Sequence, residues 1–287
     1  RGYFYWEWCP VKLVNVSLLM SVYYREKADN LQESLESMIE QTCVPKQFVI
    51  IRDGELGSDL DEVLNNFLNR YGNLIKISLV RLNHRVNLGR ALNAGLRVCK
   101  YELVARMDSD DHALPRRIEL QVDFFSHNSV KVLGGNIQEF TTFWNKPVSY
   151  RKVPVSPQGI RQFSRTRNPL NHMTVMFKKD FILNVMGGYR DVLGFEDYDL
   201  WLRVLKDESE AIYNLPQVLV AARTAELQNR RGGTSYVKQN AFARWVFYRD
   251  RLISLKDFLV TLSVGTLVGL SSSRFREYIY KLVLRKK

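Results

Sequence analysis

Three carboxylates crowd the stretch "RMDSDDHALP", directly after an apolar run that is typical of a buried strand. Asp108, Asp110 and Asp111 repel one another, so at neutral pH part of this charge must be protonated or neutralised by a cation. Mg²⁺ and Mn²⁺ prefer oxygen ligands and typically take one or two carboxylates together with substrate phosphates. The spacing therefore favours a metal–diphosphate site. The alternative is a solvated loop in which Asp108 or Asp111 caps a helix that starts near Pro115.

Two more positions could serve such a substrate. Asp53-Gly54 follows another apolar run, "QFVII", and would place a carboxylate at a strand end, although Asp-Gly is also common in ordinary turns. Arg90, in "NLGRALNAGL", lies in the first turns of a predicted helix. Its guanidinium could bind a phosphate through two hydrogen bonds or could simply lie at the surface.

A general base and a further ligand-binding residue can be sought further along the chain. Glu196 and Asp197 precede an amphipathic helix in "GFEDYDLWLRVL". One of them could be a general base, or both could be the acidic residues that commonly favour the first turn of a helix. His172, one of four histidines, precedes a predicted strand in "NPLNHMTVMF". It is a candidate ligand, with a structural hydrogen bond as the alternative.

The order of predicted elements indicates how these residues would meet. The predicted strands of the first part span residues 13–24, 47–51, 75–80 and 101–107. Helix patterns alternate with them, and such βαβ units imply a parallel sheet with helices on both faces. Ligands on these sheets bind beyond the carboxyl ends of the strands. Tyr23, Asp53 and the cluster Asp108–Asp111 are therefore expected along one edge.

Helix caps and further elements complete the predicted catalytic domain. Ser58 is expected to cap the helix "SDLDEVLNNFLNRY", and Gly187-Gly188 to end the helix "KDFILNVMGG". Two more strands are predicted at 130–140 and 174–179. We expect one α/β catalytic domain over residues 1–225.

The net charge of +12 is concentrated near the C-terminus. Residues 230–287 hold 13 of the 42 Lys and Arg but only 3 of the 30 Asp and Glu, a net charge of +10. Nucleic-acid binding predicts basic charge over a face of the fold, so that class is disfavoured. Three dispersed cysteines favour a reducing cytoplasm over a disulfide framework or a zinc site.

Residues 226–287 are predicted to form a basic, partly apolar helical extension. "RFREYIYKLVLRKK" (274–287) would place apolar residues on one helical face and basic residues on the other. "FLVTLSVGTLVGL" (258–270) is apolar but shorter than the roughly 20 residues that span a bilayer. The pattern favours an element at the membrane surface, with a helix packed on the domain as the alternative.

Seven stretches, taken in order, resemble the family 2 glycosyltransferases of the GT-A fold. They are "VSLLMSVYYRE", "ESLESMIEQT", "VIIRDG", "NLGRALNAGL", "ARMDSDD", "NHMTVMF" and "GGYRDVLGFEDYDLWLRVL". The similarity extends from about residue 13 to residue 223 and is strongest to the branch that builds bacterial capsule, exopolysaccharide and O-antigen. It implies a Rossmann-like, mostly parallel sheet flanked by helices. It also implies an inverting, metal-dependent enzyme that uses a nucleotide-diphospho-sugar, most often UDP-linked.

The resemblance implies a role for each donor-side residue. Tyr23 would lie against the base, Asp53 would hydrogen-bond to the uracil, and Arg90 would approach the nucleotide or its phosphates. Asp108 would contact the ribose or a metal-bound water. Asp110 would ligate the metal, Mn²⁺ or Mg²⁺.

The same resemblance assigns the acceptor side. Asp197 would be the catalytic base, with Glu196 beside it to orient the acceptor. His172 would lie near the donor diphosphate or the acceptor. Arg52 departs from the family pattern, because many members have an aspartate at that position.

The resemblance also indicates substrates and location. The acceptor is expected to be a glycan or a polyprenyl-diphosphate-linked glycan, which places the enzyme in the cytoplasm at the inner face of the cell membrane. "QNAFARW" is similar to the Gln-x-x-Arg-Trp of processive synthases, but its spacing differs, so transfer of one hexose or N-acetylhexosamine per encounter is expected. The alternatives are a metal-dependent sugar nucleotidyltransferase or phosphotransferase, and a non-enzymatic basic module that binds membrane or nucleic acid.

Overall fold

The first half of the chain forms four parallel strands. The computed structural model describes residues 12–208, 211–224 and 233–271. The strands are β1 (Lys12–Val22), β2 (Cys43–Asp53), β3 (Lys76–Leu82) and β4 (Leu103–Asp108), in the spatial order β3-β2-β1-β4. The helices between them are α1 (Ala28–Ile39), α2 (Ser58–Tyr71) and α3 (Leu88–Val98). The predicted parallel βαβ arrangement is confirmed.

The second half extends the same sheet with mixed strand direction. Its strands are β5 (His112–Ala113), β6 (Val132–Phe140), β7 (Ser149–Arg151), β8 (Met176–Lys178) and β9 (Ile212–Arg223). β8 runs antiparallel to β4 and to β6, whereas β9 runs parallel to β6. Because β8 runs opposite to β4 and β6 runs opposite to β8, β6 and its parallel neighbour β9 have the same direction as β4. β4 and β9 therefore end at the same edge of the sheet.

The remaining helices cover this half of the sheet and form the C-terminal end. They are α4 (Arg117–His127), α5 (Pro157–Ser164), α6 (Glu196–Asp207), α7 (Gly233–Arg249) and α8 (Leu255–Leu270). A π-helical turn occupies Phe181–Val185, within the segment predicted as a helix, and Gly187 and Gly188 after it have positive φ angles. Residues 274–287, for which an amphipathic helix is predicted, lie outside the described residues.

The predicted cap at Ser58 is wrong, and the alternative that Asp111 caps a helix is excluded. Ser58 is the first residue of α2, and Gly57 occupies the cap position without a side-chain hydrogen bond. Helix α4 begins at Arg117 with Arg116 at its cap position, so Asp111 does not cap it. The carboxylate of Asp111 instead accepts a hydrogen bond from the backbone N–H of Arg223 in β9.

Strand β4 separates two hydrophobic layers. Ala105 and Met107 belong to the layer that packs against α1, α2 and α4, whereas Val104 belongs to the layer formed with α3 and α6. Because side chains alternate along a strand, Arg106 and Asp108 lie on the same side as Val104. A buried arginine therefore faces α3 and α6 beneath the acidic end of β4.

The C-terminal helices pack against α6. Their contact is a third apolar cluster of Val192, Tyr198, Leu202, Ala243, Val246, Phe247 and Ile253. The buried Arg244 of α7 lies with its guanidinium 5.1 Å from the ring centre of Tyr198. In the part of the chain that the structure describes, no helix combines the length and apolar character needed to cross a bilayer.

A fully buried carboxylate, that of Asp199, ties α6 to its surroundings. It accepts hydrogen bonds from Nε of Arg190 and from Nε of Arg203, both at 2.9 Å. Arg190 also forms an ion pair of 2.8 Å with Asp250, directly after α7. The network thus links the segment before α6, α6 itself and the end of α7.

We expect the substitution Asp199→Asn to lower the free energy of unfolding by about 3 kcal/mol, because it leaves buried positive charge without its partner. Urea unfolding followed by circular dichroism measures this change. Glu119→Gln removes an exposed partner of Arg116 and serves as the control, with an unchanged midpoint. Equal midpoints for the two variants would contradict the role given to Asp199.

Candidate active site

Three carboxylates converge at the carboxyl end of β4. One oxygen atom from each of Asp108, Asp110 and Asp111 lies within 4.8 Å of the other two. Burial, together with the charges of Asp110 and Asp108, raises the pKa of Asp111 well above its usual range. The Oδ2 atom of Asp111 is buried and has no hydrogen-bond partner among the described residues. A set of hard oxygen ligands with an unpaired buried oxygen fits a divalent cation such as Mg²⁺ or Mn²⁺.

The last residue of β9, Arg223, holds this acidic loop in place. Its backbone N–H donates to Oδ1 of Asp111 at 2.8 Å, and its Nε donates to the carbonyl oxygen of Asp110 at 3.0 Å. Its Nη2 donates to Glu33 of α1 at 2.6 Å. The loop is thereby fastened to β9 and α1, which sets the spacing of the carboxylates.

Arg106 is a residue of this site that the sequence prediction missed. It is 2% exposed and forms an ion pair with Asp108, two residues further along β4. Burial opposes its charge, but Asp108, together with Tyr189 and Asp111, outweighs burial and raises the pKa of Arg106. The signal is present in the sequence, because a basic residue interrupts the otherwise apolar end of "YELVARM".

A second pair of carboxylates begins α6. Oδ2 of Asp197 accepts a hydrogen bond from Nδ2 of Asn168 at 2.6 Å, and Oδ1 accepts one from the backbone N–H of Tyr198 at 2.7 Å. Burial nevertheless raises the pKa of Asp197. Burial and the adjacent Asp197 raise the pKa of Glu196 to about 7. These shifts bring both carboxylates closer to the range in which a general base works at neutral pH.

The pKa of the Tyr189 hydroxyl group depends on both groups of carboxylates. Its pKa is raised by burial and then by the charges of Asp197, Glu196 and Asp108. Its hydroxyl group forms a hydrogen bond of 2.9 Å with Nε2 of His172. Burial and the charge of Arg106 lower the pKa of His172, so this imidazole is neutral at neutral pH. The structural hydrogen bond considered for His172 is thus present, beside the candidate site.

Tyr23 and Asp53 form a separate group at the ends of β1 and β2. Oδ1 of Asp53 accepts a hydrogen bond of 2.7 Å from the backbone N–H of Val86, and burial raises the pKa of Asp53. The guanidinium of Arg85 lies 5.4 Å from the ring centre of Tyr23. A Cβ atom on Gly54 would lie 2.9 Å from the backbone nitrogen of Arg85, so glycine permits this close approach. Sequence reasoning did not single out Arg85.

The strand registers align this group with the acidic cluster. Ser21 of β1 pairs with Asp108 of β4, and Val22 pairs with Arg52 of β2. The ends of the three strands therefore lie along one edge of the sheet. Arg52 itself forms an ion pair of 2.6 Å with Asp61 of α2.

Arg90 lies in the first turn of α3 and has a partner of its own. Its Nη2 forms an ion pair of 2.6 Å with Asp191, and both side chains are substantially exposed. The cap residue of the helix, Asn87, accepts a hydrogen bond from the backbone N–H of Arg90 and also donates to Asp191. Among the described residues, the structure does not join Arg90 to the acidic cluster by a hydrogen bond or ion pair.

Helix α3 also positions the segment that precedes α6. The side chain of Asn93 donates to the carbonyl oxygen of Tyr189 at 2.7 Å and accepts from its N–H at 2.9 Å. Gly188 has a φ of +75°, and a Cβ atom there would lie 2.5 Å from Oδ1 of Asn93. A Cβ atom on Gly89 would lie 3.1 Å from Cβ of Tyr189 and 3.3 Å from Cβ of Glu196. Small residues thus allow α3 to touch the segment that carries Tyr189 and Glu196.

A mostly parallel sheet flanked by helices, with an acidic cluster at the end of a central strand, is the arrangement of the GT-A class of glycosyltransferases. The family model for glycosyl transferase family 2 matches residues 17–190 of the chain. The chain therefore belongs to glycosyltransferase family 2, and the resemblance seen in the sequence is confirmed.

Relatives of similar length share much of the sequence. The UDP-Gal:alpha-D-GlcNAc-diphosphoundecaprenol beta-1,3-galactosyltransferase of Escherichia coli is 38% identical over 272 residues, which cover 94% of this chain and 96% of that protein. The amylovoran biosynthesis glycosyltransferase AmsE of Erwinia amylovora is 38% identical over 224 residues, with coverages of 77% and 81%. The O-antigen biosynthesis glycosyltransferase WbnJ of Escherichia coli is 29% identical over 240 residues, with coverages of 83% and 91%.

Solved structures establish the fold class. The structure of S. aureus TarS 1–349 in complex with UDP-GlcNAc superimposes with a TM-score of 0.60 at 15% identity and covers 94% of this chain and 76% of that one. The mannosyltransferase PcManGT of Pyrobaculum calidifontis, in complex with GDP-Man and Mn²⁺, gives a TM-score of 0.55 at 14% identity, with coverages of 96% and 82%. The predicted GT-A type fold is confirmed.

Two adjacent glycines provide a test of how α3 holds the segment before α6. Gly187 and Gly188 both have positive φ angles, so alanine at either position is expected to cost about 1–2 kcal/mol. A Cβ atom on Gly187 meets nothing within 4 Å, whereas one on Gly188 strikes Asn93. We therefore expect Gly188→Ala to lower the free energy of unfolding more than Gly187→Ala and to reduce glycosyl transfer. Urea unfolding and activity assays would contradict this account if the two variants behaved alike.

Proposed function

We propose that this protein is an inverting, metal-dependent and non-processive glycosyltransferase. It moves one sugar from a UDP-linked donor to a hydroxyl group of a polyprenyl-diphosphate-linked glycan during cell-surface polysaccharide synthesis. The Escherichia coli galactosyltransferase supports this proposal, because the similarity covers nearly the whole length of both chains. Its name specifies a UDP-galactose donor, so UDP-galactose is the donor that we expect for this chain.

The observation that carries the proposal is a single buried guanidinium that acts on two groups of carboxylates. Arg106 pairs with Asp108 in the acidic cluster, and its charge opposes in part the burial that raises the pKa of Glu196 and of Asp197. Transfer at an anomeric carbon needs charge neutralisation on the leaving diphosphate and a base for the incoming hydroxyl group. The acidic cluster would hold the cation for the first requirement, and the pair at the start of α6 would meet the second.

Asp197 is the proposed base. It takes the proton of the acceptor hydroxyl while that oxygen attacks the anomeric carbon, and the bond to the diphosphate breaks with its electron pair leaving on UDP. Attack opposite the leaving group inverts the anomeric centre, so an α-linked donor gives a β-linked product. Asn168 and the backbone of Tyr198 each donate to one carboxylate oxygen, so both oxygens retain a lone pair for the proton. Glu196 would orient the acceptor beside it.

The donor is proposed to lie along the edge of the sheet. Asp110 and Asp108 would hold Mn²⁺ or Mg²⁺, which when bound supplies Lewis-acid neutralisation of the diphosphate. Tyr23 would lie against the uracil. Asp53 would hydrogen-bond to the uracil through Oδ2, since Oδ1 accepts from Val86.

Two further side chains are proposed to approach the diphosphate. Arg90 would exchange its exposed ion pair with Asp191 for the nucleotide or its phosphates. His172 would lie near the diphosphate or the acceptor as a neutral ring bonded to Tyr189.

A lipid-linked acceptor would require the enzyme to work at the inner face of the cytoplasmic membrane. Helices α7 and α8 offer a surface for this, because nine large apolar side chains on them are at least 40% exposed. These are Phe242, Trp245, Tyr248, Leu255, Leu259, Val260, Val264, Leu267 and Leu270. The basic sequence 274–287 begins four residues after the last residue of α8, and its positive charge would complement anionic lipid.

Incubation of the full chain with a panel of UDP-sugars, Mn²⁺ and a GlcNAc-diphospho-lipid tests the function. We expect turnover with UDP-galactose and a roughly hundredfold or greater loss of turnover for Asp197→Asn, since a positioned base typically contributes that much. UDP affinity is expected to persist in this variant, and Asp207→Asn at the exposed end of α6 serves as its control. Absence of turnover with every UDP-sugar would refute the function, and full activity of Asp197→Asn would refute the base.

The variant Asp110→Ala tests the proposed metal ligand. We expect the affinity for UDP-galactose to depend on Mn²⁺ in the native protein and to lose that dependence in the variant, because one hard oxygen ligand is removed. Titration calorimetry with Mn²⁺ or with a chelator measures the effect, with the exposed Asp123→Ala as control. Unchanged affinity under both conditions would exclude Asp110 as a ligand.

Sedimentation with vesicles tests the proposed membrane surface. We expect the full chain to bind vesicles that contain anionic phosphatidylglycerol and the triple variant Leu259→Gln, Val264→Gln, Leu267→Gln to bind them much less, because it loses exposed apolar surface. The matched control replaces three exposed apolar residues elsewhere, Phe143→Gln, Val148→Gln and Val185→Gln. Equal binding by the two triple variants would exclude α8 as the contact.

A further inference from the structure

The carboxylate of Asp197 is held by two hydrogen-bond donors that come from different parts of the chain. Its Oδ1 atom accepts from the backbone N–H of Tyr198 at 2.7 Å, a contact that lies within α6 itself. Its Oδ2 atom accepts from Nδ2 of Asn168 at 2.6 Å, and Asn168 lies 29 residues earlier in the chain. Because one donor holds each oxygen, rotation of the carboxylate would break at least one of these hydrogen bonds.

The amide group of Asn168 can donate to Asp197 in only one of its two orientations. Its Oδ1 atom accepts a hydrogen bond from the backbone N–H of Leu170 at 3.2 Å. If the amide were flipped, donor would face donor at Leu170 and acceptor would face acceptor at Asp197. The contact with Leu170 therefore fixes which end of the amide faces the carboxylate.

Arg151 of β7 holds the backbone of the turn that carries Asn168. Its Nη2 donates to the carbonyl oxygen of Asn168 at 2.8 Å, and its Nη1 donates to that of Leu170 at 3.3 Å. The next residue, Asn171, is fully buried and donates to a backbone carbonyl oxygen of β6 at 2.8 Å. The turn is thus anchored to β6 and β7, which gives the side chain of Asn168 a rigid support.

We propose that Asn168 is a positioning residue for glycosyl transfer: its amide holds Oδ2 of Asp197 so that the carboxylate presents a lone pair to the acceptor hydroxyl group. The inference rests on the proposed function, because it takes Asp197 as the base. A base is effective only within hydrogen-bond reach of the proton that it removes, so a carboxylate that is free to rotate loses part of its effect. Burial raises the pKa of Asp197, and the hydrogen bond from Asn168 is the strongest of the influences that oppose burial.

The variant Asn168→Ser removes the donor to Asp197 and keeps an oxygen atom that can accept from a backbone N–H two residues further on. We expect kcat with UDP-galactose, Mn²⁺ and a GlcNAc-diphospho-lipid to fall by about tenfold or more, as loss of a hydrogen bond to a charged group implies. The KM for UDP-galactose should not change. Asn66→Ser on the exposed face of α2 is the control, with native kcat. Native kcat in Asn168→Ser, with folding checked by circular dichroism, would overturn the inference.

The variant Asn168→Asp separates positioning of the base from support of the turn. It keeps the shape of the side chain and an oxygen for the N–H of Leu170, but it replaces the donor that faces Asp197 with a second carboxylate. If Asn168 only supported the turn, kcat would remain native in this variant, and that result would also overturn the inference. We expect kcat to fall at least as far as in Asn168→Ser, because two carboxylates in contact repel each other or share a proton.

A double-variant cycle shows whether Asn168 acts through Asp197. We expect Asn168→Ser to cause little further loss of the residual turnover of Asp197→Asn, because the base on which it acts is already absent. Losses that multiply in the double variant would overturn the inference. If the native chain transfers no sugar, or if Asp197→Asn keeps full activity, the proposed function or its base fails and this inference falls with it. Either result is distinct from native turnover in Asn168→Ser beside impaired turnover in Asp197→Asn.

Discussion

Carboxylates can be gathered in a partly buried site only if positive charge is gathered with them. Taking an isolated carboxylate out of water is costly, and several together repel one another as well. In this glycosyltransferase Arg106 opposes that cost for Asp108, Asp111, Glu196 and Asp197, although burial also penalises its own charge. Hydrophobic layers pack on both faces of β4, the strand that carries Arg106 and Asp108. The guanidinium therefore offsets part of the electrostatic cost at both the acidic edge and the start of α6.

The topology of the sheet brings these distant parts together. The parallel half ends at one edge, where β1, β2 and β4 place Tyr23, Asp53 and the acidic cluster. The antiparallel strand β8 reverses the chain, so the segment just before it, which contains His172, returns to that same edge. Arg223 at the end of β9 then donates hydrogen bonds to Asp111 and Asp110 and so holds the acidic loop against β9. Mixed strand direction is therefore what allows one edge to carry both the residues proposed to bind the donor and His172.

The amino-acid sequence predicts much of this and misses specific parts for physical reasons. Apolar runs and their spacing were sufficient for the strands and helices of the first half, because a buried parallel sheet demands continuous apolar strands. The cap assigned to Ser58 is wrong because α2 begins one residue earlier than expected, with Gly57 at the cap position. Asp111, considered as an alternative cap of α4, bonds instead to the backbone of Arg223. Asn168 was missed because its partner, Asp197, lies 29 residues away. Arg106 was missed because the alternation along a strand predicts which face of the sheet a side chain lies on. It does not predict that carboxylates of α6 will lie on the same face.

With Asp197 as the base and the acidic cluster at the leaving diphosphate, the proposed reaction is a single displacement at the anomeric carbon. The configuration of the new glycosidic bond tests it most directly, because one displacement inverts that centre and a covalent glycosyl-enzyme route retains it. The product formed from UDP-α-galactose and a GlcNAc-diphospho-lipid can be isolated and its anomeric proton coupling measured by NMR. We expect a β-linked galactose, and an α-linked galactose would rule out a single displacement.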